Sequence, residues 1–211
     1  MVSKEVKGME TNIHPNMESR TQILATVGPS SIDENVLKRM LSGKVGAVRF
    51  NFSWLDENSG KVYLDSVKKV SKELDKKVLL VMDLPGPRVQ DENGHTYDHE
   101  SIEALTDRDK ELIVFGIQND VDYFAVSFVK NAEDINKCKE IIKLNNGRQK
   151  VIAKIERSIA VDNVHEIIEA SDAVMVARGD LGKDIPIEKL PFVQSEIIKK
   201  CKSVSKPVIV A

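Results

Sequence analysis

Short, largely apolar runs alternate along this chain with stretches whose apolar residues recur every three or four positions. The runs fall at residues 22–27, 45–50, 78–82 and 123–126, in a segment from Lys150 that ends Lys154-Ile155-Glu156, in one that ends Arg178-Gly179-Asp180, and at 207–211. They are too uniformly apolar for sheets with one wet face, and they read as strands covered on both sides. The intervening stretches read as amphipathic helices at residues 35–41, 57–74, 106–119, 131–144, 158–170 and 190–203. Within 57–74 the apolar positions are Val62, Leu64, Val67 and Val70. Within 158–170, Val161, Val164, Ile167 and Ile168 form one stripe and leave Asp162, His165, Glu166 and Glu169 for water.

Punctuation supports these boundaries. Gly28-Pro29 closes the first strand, and Ser31 or Asp33 can cap the helix after it. Thr106-Asp107-Arg108-Asp109 has the form of a capping box, and Asn145-Asn146-Gly147 ends the helix before it. Asp83-Leu84-Pro85-Gly86-Pro87 stops the third strand in a turn, and residues 88–104 read as one long irregular connection. Strand and helix alternate every 25–40 residues, which predicts an α/β protein of the TIM-type (β/α) barrel class. Its site should lie at the C-terminal ends of the strands. Seven strands are legible where closure takes eight, so an incomplete barrel is expected. Residues 21–211 make one barrel domain and residues 1–20 a flexible leader.

The densest chemistry lies between Lys150 and Lys183. Side chains alternate along a strand, so Lys154 and Glu156 share a face. A crossover helix returns the next strand parallel to the first, so that Asp180 finishes at the same rim. Two carboxylates and an ammonium there suit a hard divalent cation and an anionic substrate. On spacing alone they suit a structural ion pair equally well. His95 and His99 flank Asp98, but their spacing converges on a metal only in a helix, and no helical pattern is present there.

Composition narrows the picture. The 31 basic residues nearly balance 33 acidic ones, which argues against a nucleic-acid partner held by phosphate neutralisation. No apolar run approaches the roughly 18 residues of a membrane span, and no signal-peptide core opens the chain. A cytoplasmic protein is expected, with Cys138 and Cys201 as reduced thiols.

TQILATVGPSS from Thr21, AVRFNFS from Ala47, VMDLPGPRV from Val81, FAVSFVK from Phe124, VIAKIE from Val151, MVARGDLG from Met175 and KPVIVA from Lys206 occur in sequence. Their order and spacing closely resemble the barrel domain of the pyruvate kinase family, among the barrels that bind phosphoenolpyruvate or pyruvate. The resemblance implies that Lys154 approaches the phosphoryl group and enolate oxygen. It implies further that Glu156 and Asp180 hold Mg2+ or Mn2+, and that Arg49 binds substrate phosphate. Asn51, Ser53 and Asp83 match a K+ site, and Ser127 and Phe128 a wall of the substrate pocket. Arg178, Gly179 and Asp180 match a turn whose amides face a carboxylate.

Departures cluster on the nucleotide side. The family inserts a lid domain where only residues 88–104 stand here. Leu84 replaces an oxygen-bearing threonine, Gln90 a phosphate-binding arginine for which Arg88 could substitute from a shifted position, and Trp54-Leu55 a His-Gly pair. A proton-relaying threonine, the eighth strand and the regulatory domain of the family would follow Ala211, so its usual allosteric control is not expected. The resemblance therefore implies phosphoryl transfer between phosphoenolpyruvate and ADP or ATP, weak or lost. A lyase, aldolase or decarboxylase working on a pyruvate enolate without nucleotide is the second expectation. A non-catalytic interaction protein is the third. Open edges on the first and last strands also predict a homo-oligomer.

Overall fold

The computed structural model describes residues 21–91, 94–98, 101 and 103–211. The expected leader at residues 1–20 lies outside them, as does His99. Seven parallel strands form the main sheet: β1 (Ile23–Val27), β2 (Val45–Asn51), β3 (Leu79–Asp83), β6 (Tyr123–Val126), β7 (Lys150–Ile155), β8 (Ala173–Val176) and β9 (Val208–Val210). They are hydrogen-bonded in that order, β1 and β9 being the two ends, in a nearly closed (β/α) barrel. Ile23 and Val210, on the two end strands, are among the exposed large apolar residues.

The helices are α1 (Glu34–Ser42), α2 (Glu57–Glu73), α3 (Asp107–Gln118), α4 (Ala132–Leu144), α5 (Ser158–Asp162), α6 (Val164–Ala170), α7 (Arg178–Asp184) and α8 (Leu190–Ser203), with a 3-10 turn at Ile187–Lys189. The Asp33 carboxylate caps α1 by accepting the amides of Asn35 and Val36, and the expected Thr106–Asp109 box opens α3. None of the helices among the described residues is long and apolar enough to cross a membrane.

Two expectations need correction. The single crossover helix at 158–170 is two helices, interrupted at Asn163, whose side-chain amide donates to the Lys130 carbonyl. Residues 88–104 are not uniformly irregular. They carry an antiparallel hairpin of β4 (Arg88–Asp91) and β5 (Gly94–Tyr97). Helical periodicity continued through Asn163 because the break leaves the apolar stripe intact. The hairpin has little apolar alternation, and its contacts with the barrel run through Arg88 and Tyr97, described below.

The strands explain where the chemistry sits. On β7, Val151, Ala153 and Ile155 face the helical layer, while Ile152 joins Val81, Ala125, Ala173 and Met175 in a smaller core inside the barrel. Alternation therefore sends Lys154 inward above Ile152, Asp83 above Val81, and Ser127 above Ala125. Each column is apolar at depth and polar at its C-terminal end.

Helix-to-strand contact is tightest at Gly116 of α3, where an added Cβ would lie 2.4 Å from the Phe124 ring and 2.8 Å from the Met82 sulfur. Gly116→Ala is expected to lose about 1–3 kcal/mol by overpacking. An unchanged urea midpoint would show that α3 can move outward without cost.

Candidate active site

Lys154 is the centre of a buried charge network. Its ammonium lies 3.0 Å from Asp83 Oδ1, 2.9 Å from Glu156 Oε1 and 2.8 Å from the Ser127 hydroxyl oxygen. Lys154 and Glu156 are only 3% and 2% exposed. Arg49 donates from Nε to Asp83 Oδ2 at 2.5 Å and from Nη1 to the Thr26 hydroxyl at 3.0 Å. Burial pushes the Lys154 ammonium toward neutrality, but Asp83 and Glu156 outweigh it and hold its pKa above the ordinary lysine value. Burial likewise pushes Asp83 up, and Lys154 and Arg49 outweigh it, leaving the carboxyl below its ordinary value. For Glu156, burial wins and the pKa is raised.

Two turns aim these groups. After β3, Leu84 donates its amide to Ala125 O, and Gly86, at φ +66°, donates its own to the buried Asp109 carboxylate. Asp109 also accepts from the Thr106 amide and hydroxyl, so one side chain starts α3 and fixes this turn. A Cβ on Gly86 would meet Ser127 Cβ at 3.0 Å, in a backbone conformation that side chains disfavour. After β6, Phe128 adopts φ +56°, costly for an aromatic residue, and thereby points its N–H at Glu156 Oε2, 2.7 Å away.

The turn after β3 delivers Arg88. Its Nε donates to Pro85 O at 2.9 Å, and its guanidinium lies 4.6 Å above the Phe128 ring. Its Nη2 is 3.9 Å from Glu156 Oε1 and 3.5 Å from Asp180 Oδ2. Tyr97 also packs on Phe128, its ring centroid 4.9 Å away, and its hydroxyl accepts from Arg157 Nη1 at 2.7 Å. The hairpin is thus anchored to the barrel mouth by aromatic and cation–π contacts at its base, where Arg88 and Tyr97 are cross-strand partners.

The trio expected from sequence is brought together in part. Lys154 and Glu156 are adjacent, whereas Asp180 reaches the cluster through Arg88 and pairs its Oδ1 with Lys183 at 3.0 Å. Asp83, matched to K+, has both carboxylate oxygens against cationic side chains. Asn51 Oδ1 accepts the Ser53 amide. Ser127 is fully buried, its hydroxyl spent between Lys154 and Leu84 O, so it orients the lysine. Arg178 to Asp180 form the first turn of α7 rather than an open loop, and Arg178 directs both its amide and its Nε to Ala211 O. Sequence reading missed the Asp83–Lys154 pair, the bridging role of Arg88, and Tyr97 and Arg157. The first was recoverable from strand order, since the register places Asp83 beside Ala125 and Ala125 beside Ile152.

Glu156 and Asp180 suit a hard divalent ion. They offer carboxylate oxygen, and a single cationic nitrogen already lies near both. Among the described residues there is no group of three or more His, Cys, Asp or Glu side chains placed to hold a metal. A two-carboxylate site completed by substrate and water oxygens is the pattern that Mg2+ accepts.

The family description "Pyruvate kinase, barrel domain" matches residues 18–102 and 95–211. The pyruvate kinases of Staphylococcus aureus strains MRSA252, USA300 and N315 are each 28% identical to this chain over 274 residues, covering 91% of it and 47% of their own length. The chain thus spans about half the length of these curated relatives. The alignment is also longer than the chain's 211 residues, so the relatives carry additional residues within the compared region. The two matched segments overlap at residues 95–102. With a family match over nearly the whole chain and a parallel barrel whose polar rim carries the matched motifs, this chain belongs to the pyruvate kinase family, as its barrel domain.

Proposed function

We propose that the barrel mouth binds pyruvate as its enolate, together with the phosphoester phosphoenolpyruvate, and that the chain transfers the phosphoryl group between phosphoenolpyruvate and ADP, with the enolate half of the reaction the stronger. The observation that carries this reading is Lys154: a buried lysine kept charged by two carboxylates, at the inner rim of the barrel. When pyruvate's methyl carbon gives a proton to solvent, the electron pair moves to the carbonyl oxygen, and a fixed ammonium stabilises the charge that develops there. Arg49, partly exposed beside it, presents a guanidinium to a phosphate. A divalent ion, when bound, supplies further positive charge at that oxygen. Glu156 and Asp180 are the residues that would hold Mg2+ or Mn2+. With Asp83 engaged by Lys154 and Arg49, and Leu84 lacking an oxygen, the reading includes no K+.

The hairpin favours a second reading. A strand pair ending in Tyr97, which packs on Phe128 at the rim, is too small to clamp a nucleotide's phosphates as an inserted domain would. That suits a lyase or decarboxylase acting on a 2-oxo acid without ADP.

Exchange of pyruvate methyl protons for deuterium, followed by NMR with Mg2+ and without ADP, tests both. Metal-dependent exchange is expected. Pyruvate formation from phosphoenolpyruvate and ADP, measured alongside, selects the kinase. Absence of exchange in metal-saturated protein would remove the enolate reading and favour an interaction role.

A further inference from the structure

Arg88 stands between the two carboxylates assigned to a divalent ion, and neither contact has the length of a locked pair. Charge-assisted N–H···O bonds run at about 2.7–2.9 Å, while Arg88 Nη2 stands 3.5 Å from Asp180 and 3.9 Å from Glu156. The firm attachments of this side chain lie elsewhere, at Pro85 O and over the Phe128 ring. The guanidinium is held by field more than by geometry, and such a counter-ion is exchangeable.

An alternative seat adjoins it. A cavity of about 370 Å³ is lined by Arg88 itself with Phe52, Ser53, Asp98 and Thr106, so a carboxylate stands on its wall. Arg108 lines the same cavity and opposes a second cation there, which sets a limit on how far the guanidinium moves. A divalent ion held by Glu156 and Asp180 would meet the guanidinium as a like charge, so the two compete for the same carboxylates.

We propose that Arg88 is the exchangeable cation of this site, beside the fixed ammonium of Lys154. It holds Glu156 and Asp180 in place of a divalent ion, and the ion binds only in exchange for it, the guanidinium turning toward the cavity. Metal affinity is thereby set by a residue that is not a ligand, and metal entry is coupled to the hairpin that begins at Arg88. This rests on the reading that Glu156 and Asp180 take a divalent ion, and the test separates the two claims.

Mn2+ is titrated into the purified chain, with free Mn2+ followed by its electron paramagnetic resonance signal, for wild type, Arg88→Met, Arg88→Lys and Glu156→Gln. Arg88→Met is expected to bind at least about tenfold more tightly than wild type, with Arg88→Lys between them. In wild type, Mn2+ should speed hydrogen exchange of the hairpin amides, and in Arg88→Met it should not. If Glu156→Gln loses binding while Arg88→Met binds no more tightly than wild type, the exchange mechanism is overturned and the metal reading stands. If Glu156→Gln binds like wild type, both are overturned. Arg88→Lys guards against misfolding of the methionine variant: affinity equal to or below wild type in a folded Arg88→Lys also overturns the proposal.

Discussion

Replacing Lys154 with methionine is expected to destabilise the fold by about 3–5 kcal/mol, the range found when one partner of a buried ion pair is removed. Three features place this variant high in that range. The ammonium, Asp83 and Glu156 are all nearly inaccessible, so water cannot enter to solvate what remains. Asp83 keeps Arg49, but Glu156 keeps only the Phe128 amide and a guanidinium 3.9 Å away. Methionine fills the stem's volume and supplies no donor. The measurement is urea unfolding, with a lowered midpoint and an unchanged slope.

The pH dependence follows from the directions of the shifts. Wild-type Asp83 is held below its ordinary value, so its contribution is present above the unfolded pKa and is lost as pH falls through the folded one. Lys154 is held above its ordinary value, so its contribution is present below the unfolded lysine pKa and is lost only as pH rises through the folded one. Wild-type Glu156 is held above its ordinary value, so acid relieves it, opposite in sign to Asp83; in the variant, where Lys154 no longer opposes that rise, the relief is larger. The gap between them should narrow as pH is lowered from neutrality. Adding Glu156→Gln to Lys154→Met should recover part of the loss by removing one unpaired charge. Equal midpoints for wild type and Lys154→Met would mean that these groups are solvated in solution.

The barrel was legible because its central strands β3, β6, β7 and β8 are buried on both faces, and such runs cannot be mistaken for surface segments. Lys154 and Glu156 were legible for the same reason: charged residues two apart at the end of an otherwise apolar run have nowhere to go but the rim. What joins them was not. Asp83 lies 71 residues from Lys154 and meets it only once β3, β6 and β7 are set side by side. Arg88 was legible as a cation but not as a bridge, because its reach depends on the positive φ of Gly86 and on the anchor at Asp109. The hairpin escaped because Tyr97 finds its partners, Phe128 and Arg157, in distant loops. A strand pair of four residues each has little stability without such contacts. Periodicity reports burial against a neighbouring layer, and it is silent where a short element is held by one aromatic side chain.

Glu156→Gln separates the structural from the chemical role of the network. Glutamine retains an oxygen for the Phe128 amide, now 2.7 Å from Oε2, and Lys154 retains Asp83 and Ser127. The amide nitrogen facing the ammonium costs one contact, but burial already works against the Glu156 charge, so a stability loss of about 1–2 kcal/mol is expected, well below that of Lys154→Met. Divalent binding is a different matter. Of the two carboxylates, Glu156 is the one fixed by a backbone amide in a strained turn, and removing its charge leaves Asp180, which also pairs with Lys183. Mn2+ affinity is expected to fall at least about 100-fold, beyond the loss typical of a residue that merely supports a ligand. Methyl-proton exchange on pyruvate should fall by about 10²–10³-fold at moderate Mn2+, the scale seen when one stabilising group is removed from a developing oxyanion. Raising Mn2+ should restore part of that rate in Glu156→Gln and none of it in Lys154→Met, because only the first defect is one of occupancy. A folded Glu156→Gln that exchanges pyruvate protons at the wild-type rate, with wild-type Mn2+ dependence, would reduce the buried carboxylate to a counter-ion for Lys154.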